Sequence, residues 1–320
     1  MSNCSRTIAF AGITRRQPSP RHSREGAHDG RPKSRIVGYC LATALLFLLL
    51  LPSFAAAAEL KLTTWNLEWL TDRQEGDREL PPDAHPKKSE DIDRLRGYAT
   101  ELNADVIAIQ EVDGAAVAAR IFTKDKYSIH MSRDHVLQRV GLVVRRGIHY
   151  TVNPDVIGLN IDHHLRSGVD ITLDLQPSPL RIIAVHLKTG CFDQPIDGSK
   201  RKNCEELQQQ VAPLVDWITA RRAEGVAFAV IGDFNRHMNA HDQFLAALNQ
   251  AAPLLRADDG HTSPCWGGEE FIDHIILGGA ARDWLQADSL RVLTYRETGE
   301  EWKERLSDHC PVSVRLRVPD

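Results

Sequence analysis

The chain has 320 residues, of which 42% are hydrophobic and 26% are charged. This is the composition of an ordinary globular protein, which excludes a disordered or collagen-like chain. The first 58 residues hold 8 of the 39 Lys and Arg and 2 of the 43 Asp and Glu, which leaves 31 basic and 41 acidic residues and a net charge of −10 in residues 59–320. So acidic a protein gains little long-range attraction to a polyanion, which argues against a passive nucleic-acid-binding protein. It does not argue against an enzyme that approaches phosphates through a bound cation.

The N-terminal 58 residues have the pattern of a secretory signal peptide. A basic flank precedes an apolar run from Ile36 to Leu51, and Pro52 and a row of alanines follow it. The run is short for a membrane span, although an uncleaved N-terminal anchor is the alternative. Cleavage near Ala58 would leave about 262 residues, the size of one large α/β domain. We therefore predict a leader over 1–58 and a single domain over 59–320. We also expect export to the periplasm or the medium, without stable membrane insertion.

The cysteines that follow the predicted cleavage site are even in number: Cys191, Cys204, Cys265 and Cys310. In an exported protein this predicts two disulfides, for which three pairings exist. We favour Cys191–Cys204, which would close a polar loop, and Cys265–Cys310. Because no CxxC motif is present, a zinc cluster is disfavoured.

Short apolar runs predict strands along the whole of the 59–320 segment. In chain order they lie at 60–67, 106–112, 140–146, 170–175, 180–187, 226–234, 271–277 and 312–318. Between the first two runs, 71–90 is polar with three prolines and is predicted to be a loop, and 91–103 is predicted to be an amphipathic helix. A longer helix is predicted at 205–224, with a kink or an early break at Pro213. Strands mixed with helices indicate packed sheets with helices outside them.

Polar residues that look out of place share one location, the end of a predicted strand. They are Asn66, Glu68, Glu111, His186, Asp233, Asn235, Asp273, Asp308 and His309. Strand ends of one sheet meet at one edge, where ligands bind in α/β folds. Carboxylate and amide oxygens suit Mg²⁺, and histidines beside carboxylates suit proton transfer.

Other hydrolase classes lack their motifs in this chain. No GxSxG, HExxH or GxxxxGK[ST] is present, which disfavours a serine esterase, a zincin and a P-loop enzyme. The residues therefore indicate metal-assisted hydrolysis, and a phosphoester fits because a cation neutralises developing oxyanion charge.

The motifs at these strand ends resemble those of the endonuclease/exonuclease/phosphatase superfamily, in the same order. They are TWNLEWL, IAIQEV, AVHLKTG, IGDFN, FIDHIIL and LSDHCPV. The superfamily includes pancreatic deoxyribonuclease, exonuclease III, sphingomyelinases and inositol polyphosphate phosphatases. The resemblance, to a secreted member of bacterial type, covers essentially all of 59–320. It implies an α/β (α+β) fold, a four-layer sandwich of two packed mixed β-sheets flanked by helices, as in deoxyribonuclease I.

The resemblance also implies a metal site. Glu111 matches the principal Mg²⁺ ligand, with Asn66 at or beside the metal and Asp308 as a direct or outer ligand. Mn²⁺ or Ca²⁺ would be the alternative ions. Glu68 matches a position that is acidic in several members, although strand alternation leaves open that its side chain faces solvent.

Matching positions further imply the catalytic roles. Asp233 would position or deprotonate the attacking water, and Asn235 would hold a phosphate oxygen. His309, oriented by Asp273, would contact the scissile phosphate, and His186 would protonate the leaving oxygen. From the residues alone, Asp273 could instead pair with the adjacent His274. Two basic residues, Arg166 and Lys188, are further candidates for contact with a substrate phosphate.

The function that this resemblance implies is that of an exported, Mg²⁺-dependent phosphodiester hydrolase, with an endonuclease acting on nucleic acid preferred. His186, the cysteines and the leader are features in which the chain resembles secreted deoxyribonucleases. The net charge of −10, by contrast, argues against a broad basic face for duplex DNA. A phospholipid or inositol-phosphate phosphatase or phosphodiesterase is the alternative, although no aromatic-tipped membrane loop is clear in the sequence. A catalytically silent binding relative would have lost site residues, and all of the main ones are present. We expect a monomer.

Overall fold

The computed structural model describes residues 58–82 and 84–319, and the predicted leader up to residue 57 lies outside them. The described residues belong to one compact unit. Their strands are β1 (Glu59–Leu70), β2 (Val106–Val112), β3 (Tyr127–Met131), β4 (Arg139–Arg145), β5 (Tyr150–Val152), β6 (Val169–Leu173), β7 (Leu180–His186), β8 (Ala227–Asp233), β9 (Leu254–Arg256), β10 (Asp273–Gly278), β11 (Arg291–Val292) and β12 (Val312–Arg317).

These strands form two six-stranded sheets. Sheet A has the order β11-β12-β1-β2-β4-β3, and sheet B has the order β5-β6-β7-β8-β10-β9. In each sheet the central pair, β1 with β2 or β7 with β8, is parallel, and the other pairs are antiparallel. The predicted pair of mixed sheets is therefore confirmed.

Six α-helices occur among the described residues. They are α1 (Ser89–Leu102), α2 (Ala115–Ala118), α3 (Lys202–Glu224), α4 (Gln243–Ala251), α5 (Ala281–Trp284) and α6 (Glu300–Arg305), and short 3₁₀ turns lie at Ile157–Leu159, Ile161–His163 and Cys265–Gly267. Helix α3 continues through Pro213 without the early break that the sequence left open. Burial of Leu214, Trp217 and Ile218 holds the helix together although Pro213 donates no hydrogen bond. No helix in the described ranges is both long and apolar enough to cross a membrane.

Three apolar cores separate four layers. In β1, Leu60 and Leu62 point into the core between the sheets, whereas Trp65 and Leu67 point to the outer face of sheet A, where helix α1 packs. Side chains of a strand alternate between faces, so a strand that is covered on both sides reads as a continuous apolar run. The outer face of sheet B packs against α3 and α4 in the same way. Each fully buried Leu or Ile stabilises the sandwich by about 1.5–3 kcal/mol.

Both predicted disulfides are present. Cys191 bonds to Cys204 with the Cα atoms 5.0 Å apart, and Cys265 bonds to Cys310 with the Cα atoms 5.7 Å apart. The first closes the loop that leads from β7 to α3. The second ties the segment before β10 to the turn before β12, so each disulfide anchors a segment next to a strand end.

Candidate active site

The pairing register of the central strands brings the predicted polar residues to one edge of the sandwich. In sheet B, Asp233 lies opposite His186 on β7 and opposite Asp273 on β10. In sheet A, Asn66 lies opposite Gln110, the residue before Glu111. Hydrogen bonding joins the two sheets at this edge, because the Asn66 amide nitrogen donates to Glu111 Oε1 and to Asp233 Oδ2, each at 3.1 Å.

Glu111 lies in a β-bulge at the end of β2. Its φ is +60°, and the pairing with β1 skips from Asn66–Gln110 to Leu70–Val112. A bulge of this kind turns a side chain out of the normal alternation, and a non-glycine residue in the left-handed region is held there by its surroundings. The carboxylate accepts hydrogen bonds from the Trp69 backbone N–H (3.3 Å) and from Gln138 Nε2 (2.5 Å). Glu111 is thereby fixed at the mouth of the strand.

Asn66 enters the site through its amide nitrogen. Its Oδ1 accepts a hydrogen bond of 2.9 Å from the Glu68 backbone N–H, which assigns the orientation of the amide. Both side-chain polar atoms of this fully buried residue are therefore occupied, the nitrogen by carboxylates and the oxygen by the backbone. The arrangement suits Asn66 to orienting Glu111 and Asp233, and its predicted contact with a metal stays a prediction.

Asp233 is the buried centre of the site. Its Oδ1 accepts from the Asn235 backbone N–H (2.8 Å), and its Oδ2 accepts from the side-chain amide of Asn235 (3.2 Å). Burial, which outweighs the opposing charge of His309, raises the pKa of the Asp233 carboxyl to about 7. The preceding Gly232 has a φ of +151°, and a Cβ there would collide with the carbonyl oxygen of Val185 on β7. The glycine in IGDFN thus lets β7 and β8 carry their final residues into contact.

His309 and Asp273 form a charged pair beside Asp233. Nδ1 of His309 lies 2.6 Å from Asp273 Oδ2, and Nε2 lies 3.8 Å from Asp233 Oδ2. Although burial acts against the charged form, Asp273 and then Asp233 raise the pKa of the His309 imidazole well above its ordinary value. Asp273 therefore faces His309, and the alternative partner His274 bonds instead to Asp258 at 2.9 Å.

His186 has the opposite protonation preference. Burial, to which Arg166 and His309 add, lowers the pKa of its imidazole well below the ordinary value. Its Nε2 lies 3.5 Å from Asp233 Oδ2, 3.7 Å from Glu111 Oε1 and 3.5 Å from the Arg166 guanidinium. A neutral ring suits a hydrogen-bond donor more than an acid, so the predicted protonation of a leaving oxygen stays a prediction.

The remaining candidates occupy different places. Arg166 lies against the site and donates to Gln138 Oε1 at 2.6 Å. Lys188 lies apart from the carboxylates of the site, because its ammonium pairs with Glu206 on α3 at 3.2 Å. Asp308 is on the rim, with a side chain 55% exposed and Oδ1 3.8 Å from His309 Nε2.

Glu68 faces the site rather than the open solvent. It is held there by Lys87, a residue that the sequence did not indicate. Glu68 Oε2 accepts from Lys87 Nζ (3.3 Å) and from the Asp308 backbone N–H (3.2 Å). Burial, which outweighs the opposing charge of Lys87, raises the pKa of the Glu68 carboxyl to about 7. Lys87 belongs to the polar loop before α1, where no periodicity marks a buried residue.

Two further residues position the SDH motif and were also missed. Ser307 Oγ donates to the Asn66 carbonyl (2.8 Å) and accepts from the His309 N–H (3.0 Å). The Tyr295 hydroxyl donates to the His309 carbonyl (2.8 Å) and accepts from Trp65 Nε1 (2.9 Å). The serine of LSDHCPV was the available signal, whereas Tyr295 lies in a segment without a motif.

A groove of about 630 Å³ opens beside Glu111. It shares Gln138 and Arg166 with the site, and its lining includes Trp69, Arg73, His135, Gln138, Arg139 and Arg166. Asp113 pairs with Arg73 at 3.1 Å and with Arg139 at 3.3 Å. The groove therefore combines an aromatic ring with guanidinium groups next to the carboxylate cluster.

A comparison with family models decides the family. Residues 63–309 match the model described as the Endonuclease/Exonuclease/phosphatase family. The chain belongs to this family. The match spans every site residue from Asn66 to His309, and the family's phosphoesterases depend on a divalent metal. No curated protein sequence matches the chain.

Solved structures of family members share the fold. A truncated TDP2 from Caenorhabditis elegans is 13% identical, with a TM-score of 0.54 over 81% of this chain and 98% of its own. The catalytic domain of human Nocturnin is 16% identical, with a TM-score of 0.51 over 80% of this chain and 93% of its own. The 3′ phosphatase NExo from Neisseria, in a structure with a product DNA hairpin, is 17% identical, with a TM-score of 0.51 over 80% and 99%. At these low identities the structural matches show the fold alone, which is deoxyribonuclease I-like.

The donors at this site fit the divalent cation on which the family depends. Glu111 receives only hydrogen bonds from neutral groups, and within the described ranges no lysine or arginine comes within 4.0 Å of its carboxylate. Among the described residues, the buried Asp273 Oδ1 has no hydrogen-bond partner, and ligand oxygens of Asp233 and Asp273 lie within 4.8 Å of each other. The neighbouring His309 ring, in its charged form, offers no lone pair to an ion. An oxygen-rich set of this kind suits a hard cation.

Proposed function

We propose that this protein is an exported, Mg²⁺-dependent phosphodiesterase that acts on nucleic acid as an endonuclease. The proposal rests on one observation: three side chains that differ in charge lie around the same point of the site. Glu111 is a carboxylate that no described lysine or arginine approaches within 4.0 Å, His309 is a histidine whose neighbours favour its charged form, and Asp233 is a buried carboxyl with a pKa of about 7. Phosphodiester hydrolysis uses all three.

His309 and Asp233 have complementary tasks in this proposal. The His309 imidazolium donates to a non-bridging phosphate oxygen, and Asp273 keeps the ring charged and oriented. Asp233 in its ionised form accepts the proton of the attacking water, which its pKa of about 7 permits near neutral pH. A divalent ion held by Glu111 and Asp308 would supply charge neutralisation at the phosphate.

Three neighbours complete the proposed machinery. The Asn235 side-chain amide donates to the Leu187 carbonyl (3.2 Å) and to Asp233, so it holds Asp233 while its own oxygen faces away from that bond. The His186 ring lies beside the same carboxylate, with Nε2 3.5 Å from Asp233 Oδ2, and burial favours its neutral form. Arg166 adds a guanidinium 3.5 Å from His186, where it can bind a phosphate oxygen.

The groove beside Glu111 supports nucleic acid as the substrate. Trp69 offers a surface on which a base can stack, and Arg166 can bind a neighbouring phosphate. Arg73 and Arg139 of the groove are already paired with Asp113. The NExo structure holds a DNA product, although that fact belongs to NExo. The two disulfides support export, because such bonds persist in oxidising compartments.

A plasmid-nicking assay with Mg²⁺ tests the proposal. The oxidised protein should nick supercoiled DNA, while EDTA and the variants Glu111→Gln and His309→Asn should each reduce the rate by at least about 10²-fold. His241→Asn, at an exposed position on the loop before α4, is the matched control and should keep full activity. Absence of nicking, together with hydrolysis of phospholipid or inositol-phosphate esters, would refute nucleic acid as the substrate and support the alternative class.

A further inference from the structure

Three tryptophans among the described residues are half-buried, and one of them lacks a partner for its ring. Trp266 packs against Tyr295 with the ring centroids 5.3 Å apart, and the ring of Trp302 lies against a guanidinium 4.1 Å from its centroid. In the part of the chain that the structure describes, no aromatic ring or guanidinium packs on Trp69 in this way. Trp69 instead lines the groove of about 630 Å³ beside Glu111, so a planar group in the groove can reach its ring.

The backbone of Trp69 is fixed next to the carboxylates of the active site. Its N–H donates to Glu111 Oε2 at 3.3 Å, and its φ is +52°. A bulky residue adopts the left-handed region only where its surroundings hold it there, and the next residue, Leu70, is fully buried in the core on the outer face of sheet A. A planar group that stacks on Trp69 therefore lies close to the carboxylate at which the proposed function places the cation.

Another part of the groove lining comes from the segments before β4 and β6, which are tied together. Asp134 accepts hydrogen bonds from Asn160 Nδ2 at 2.9 Å, from the Ser167 backbone N–H at 2.8 Å and from Ser167 Oγ at 2.7 Å. Arg166, the residue before Ser167, donates to Gln138 Oε1 at 2.6 Å and to the Gln138 carbonyl at 3.2 Å. The Arg166 guanidinium is therefore held in place before a ligand arrives, which lowers the entropic cost of binding.

The groove has little free positive charge. Asp113 pairs with Arg73 at 3.1 Å and with Arg139 at 3.3 Å, and Glu79 pairs with Arg73 at 2.7 Å. Within the described ranges, no carboxylate lies within 4.0 Å of the Arg166 guanidinium, which bonds to neutral groups. A protein that binds a duplex through its backbone neutralises several phosphates, and the net charge of −10 beyond the predicted leader opposes such binding. One aromatic ring and one unpaired guanidinium match a single nucleotide better than a duplex backbone.

We propose that the substrate is nucleic acid in its single-stranded form and that Trp69 is the residue that selects it. An unpaired base stacks on the Trp69 ring, and Arg166 binds the adjoining phosphate as it enters the site. A base inside a duplex has both faces covered by neighbouring bases, so it cannot offer a face to Trp69. Stacking on an aromatic ring is tolerant of sequence, so the selection is for unpaired bases rather than for particular ones. This inference rests on the proposed function, because it takes phosphodiester hydrolysis at Glu111 as given.

Steady-state kinetics on one labelled oligodeoxynucleotide, free and annealed to its complement, test this proposal in Mg²⁺. The wild-type kcat/KM should be at least about 10-fold higher for the free strand. Trp69→Ala should lower kcat/KM on the free strand by about 10-fold or more, mainly through KM, and leave the duplex value unchanged. Trp69→Phe should retain most of the preference because its ring still stacks. Phe192→Ala, at an exposed aromatic residue outside the groove, is the matched control and should keep both values.

A comparison of plasmid forms keeps the test decisive if Trp69→Ala fails to fold. Negative supercoiling opens the duplex locally, so the wild-type protein should cut supercoiled plasmid at least about 10-fold faster than the same plasmid after linearisation. This measurement needs no variant. Equal rates on the two forms would overturn the preference for unpaired bases.

The remaining outcomes separate this inference from the function beneath it. Equal or higher kcat/KM on the annealed oligonucleotide would overturn the inference and leave the proposed endonuclease standing. An equal loss on both forms in Trp69→Ala, without recovery in Trp69→Phe, would show that Trp69 only supports Glu111 and would overturn its role in selection. Hydrolysis of neither form by the wild-type protein would overturn the proposed function together with the inference.

Discussion

Replacement of Asp233 by Asn should stabilise the metal-free protein more at high pH than at low pH. The pKa of this carboxyl rises from 3.8 to about 7 on folding because the group is buried. Below pH 3.8 it is protonated in both the folded and unfolded states and has no effect. Between pH 3.8 and 7 the unfolded chain releases the proton and the folded protein keeps it, so stability falls by about 1.4 kcal/mol per pH unit. Above pH 7 the loss is complete, at about 4 kcal/mol.

The variant removes this loss and adds a constant cost. The new amide places a donor opposite the amide nitrogens of Asn66 and Asn235, which costs about 1–3 kcal/mol at every pH. The gain from removing the charge therefore appears in the difference between two pH values. From pH 5 to pH 8, the unfolding free energy of Asp233→Asn relative to wild type should increase by about 3 kcal/mol.

Urea denaturation in EDTA at pH 5 and pH 8 measures this difference. EDTA is required because a bound cation would stabilise the ionised carboxyl. Asp216→Asn, at an exposed position of α3, is the matched control and should change stability by the same amount at both pH values. If the effect of Asp233→Asn on the unfolding free energy differed by less than about 0.5 kcal/mol between the two pH values, a pKa raised by burial would be refuted for this carboxyl.

Three further changes test the surroundings of the SDH turn. Asp273→Asn should lower kcat for phosphodiester hydrolysis by about 10²-fold with little change in KM, because His309 loses the charge of its partner; an unchanged kcat would contradict this. Tyr295→Phe should lower the unfolding free energy in urea by about 1–3 kcal/mol through its lost hydrogen bonds, and an unaltered midpoint would argue against them. Cys265→Ala/Cys310→Ala should cost about 4 kcal/mol, and a Tm equal to that of wild type would exclude a stabilising disulfide.

The layers of the fold could be predicted from the sequence because its central strands are covered on both faces. The run 106–112 is apolar at every position up to Gln110, and it forms β2 with the predicted ends. By contrast, β9 and β11, of three and two residues, lie at sheet edges with half-exposed side chains. Such strands exist through pairing with a neighbour rather than through a pattern of their own.

The members of the site could be predicted in part, because polar residues at strand ends are visible as interruptions of apolar runs. The bulge at Glu111 and the left-handed conformations of Glu68 and Trp69 have no signal in the alternation of the sequence. These conformations decide the direction of the Glu68 side chain, so the sequence alone does not show whether it faces the site or the solvent.

Contacts supplied by loops could not be predicted. Lys87 and Gln138 reach Glu68 and Glu111 from segments without periodicity, and their places follow only from the packing of the whole chain. The protonation states of His186 and Asp233 likewise depend on burial by distant elements. The sequence alone indicated histidines and carboxylates near one another, but not which of them carry charge.

The most direct test of the central claim is hydrolysis of a simple phosphodiester, bis(p-nitrophenyl) phosphate, as divalent cation is removed and restored. We expect no release of nitrophenol in EDTA, full recovery on addition of Mg²⁺ or Mn²⁺, and no recovery in Glu111→Gln. A rate that is indifferent to EDTA, or that persists in Glu111→Gln, would contradict a cation-dependent phosphodiesterase centred on Glu111.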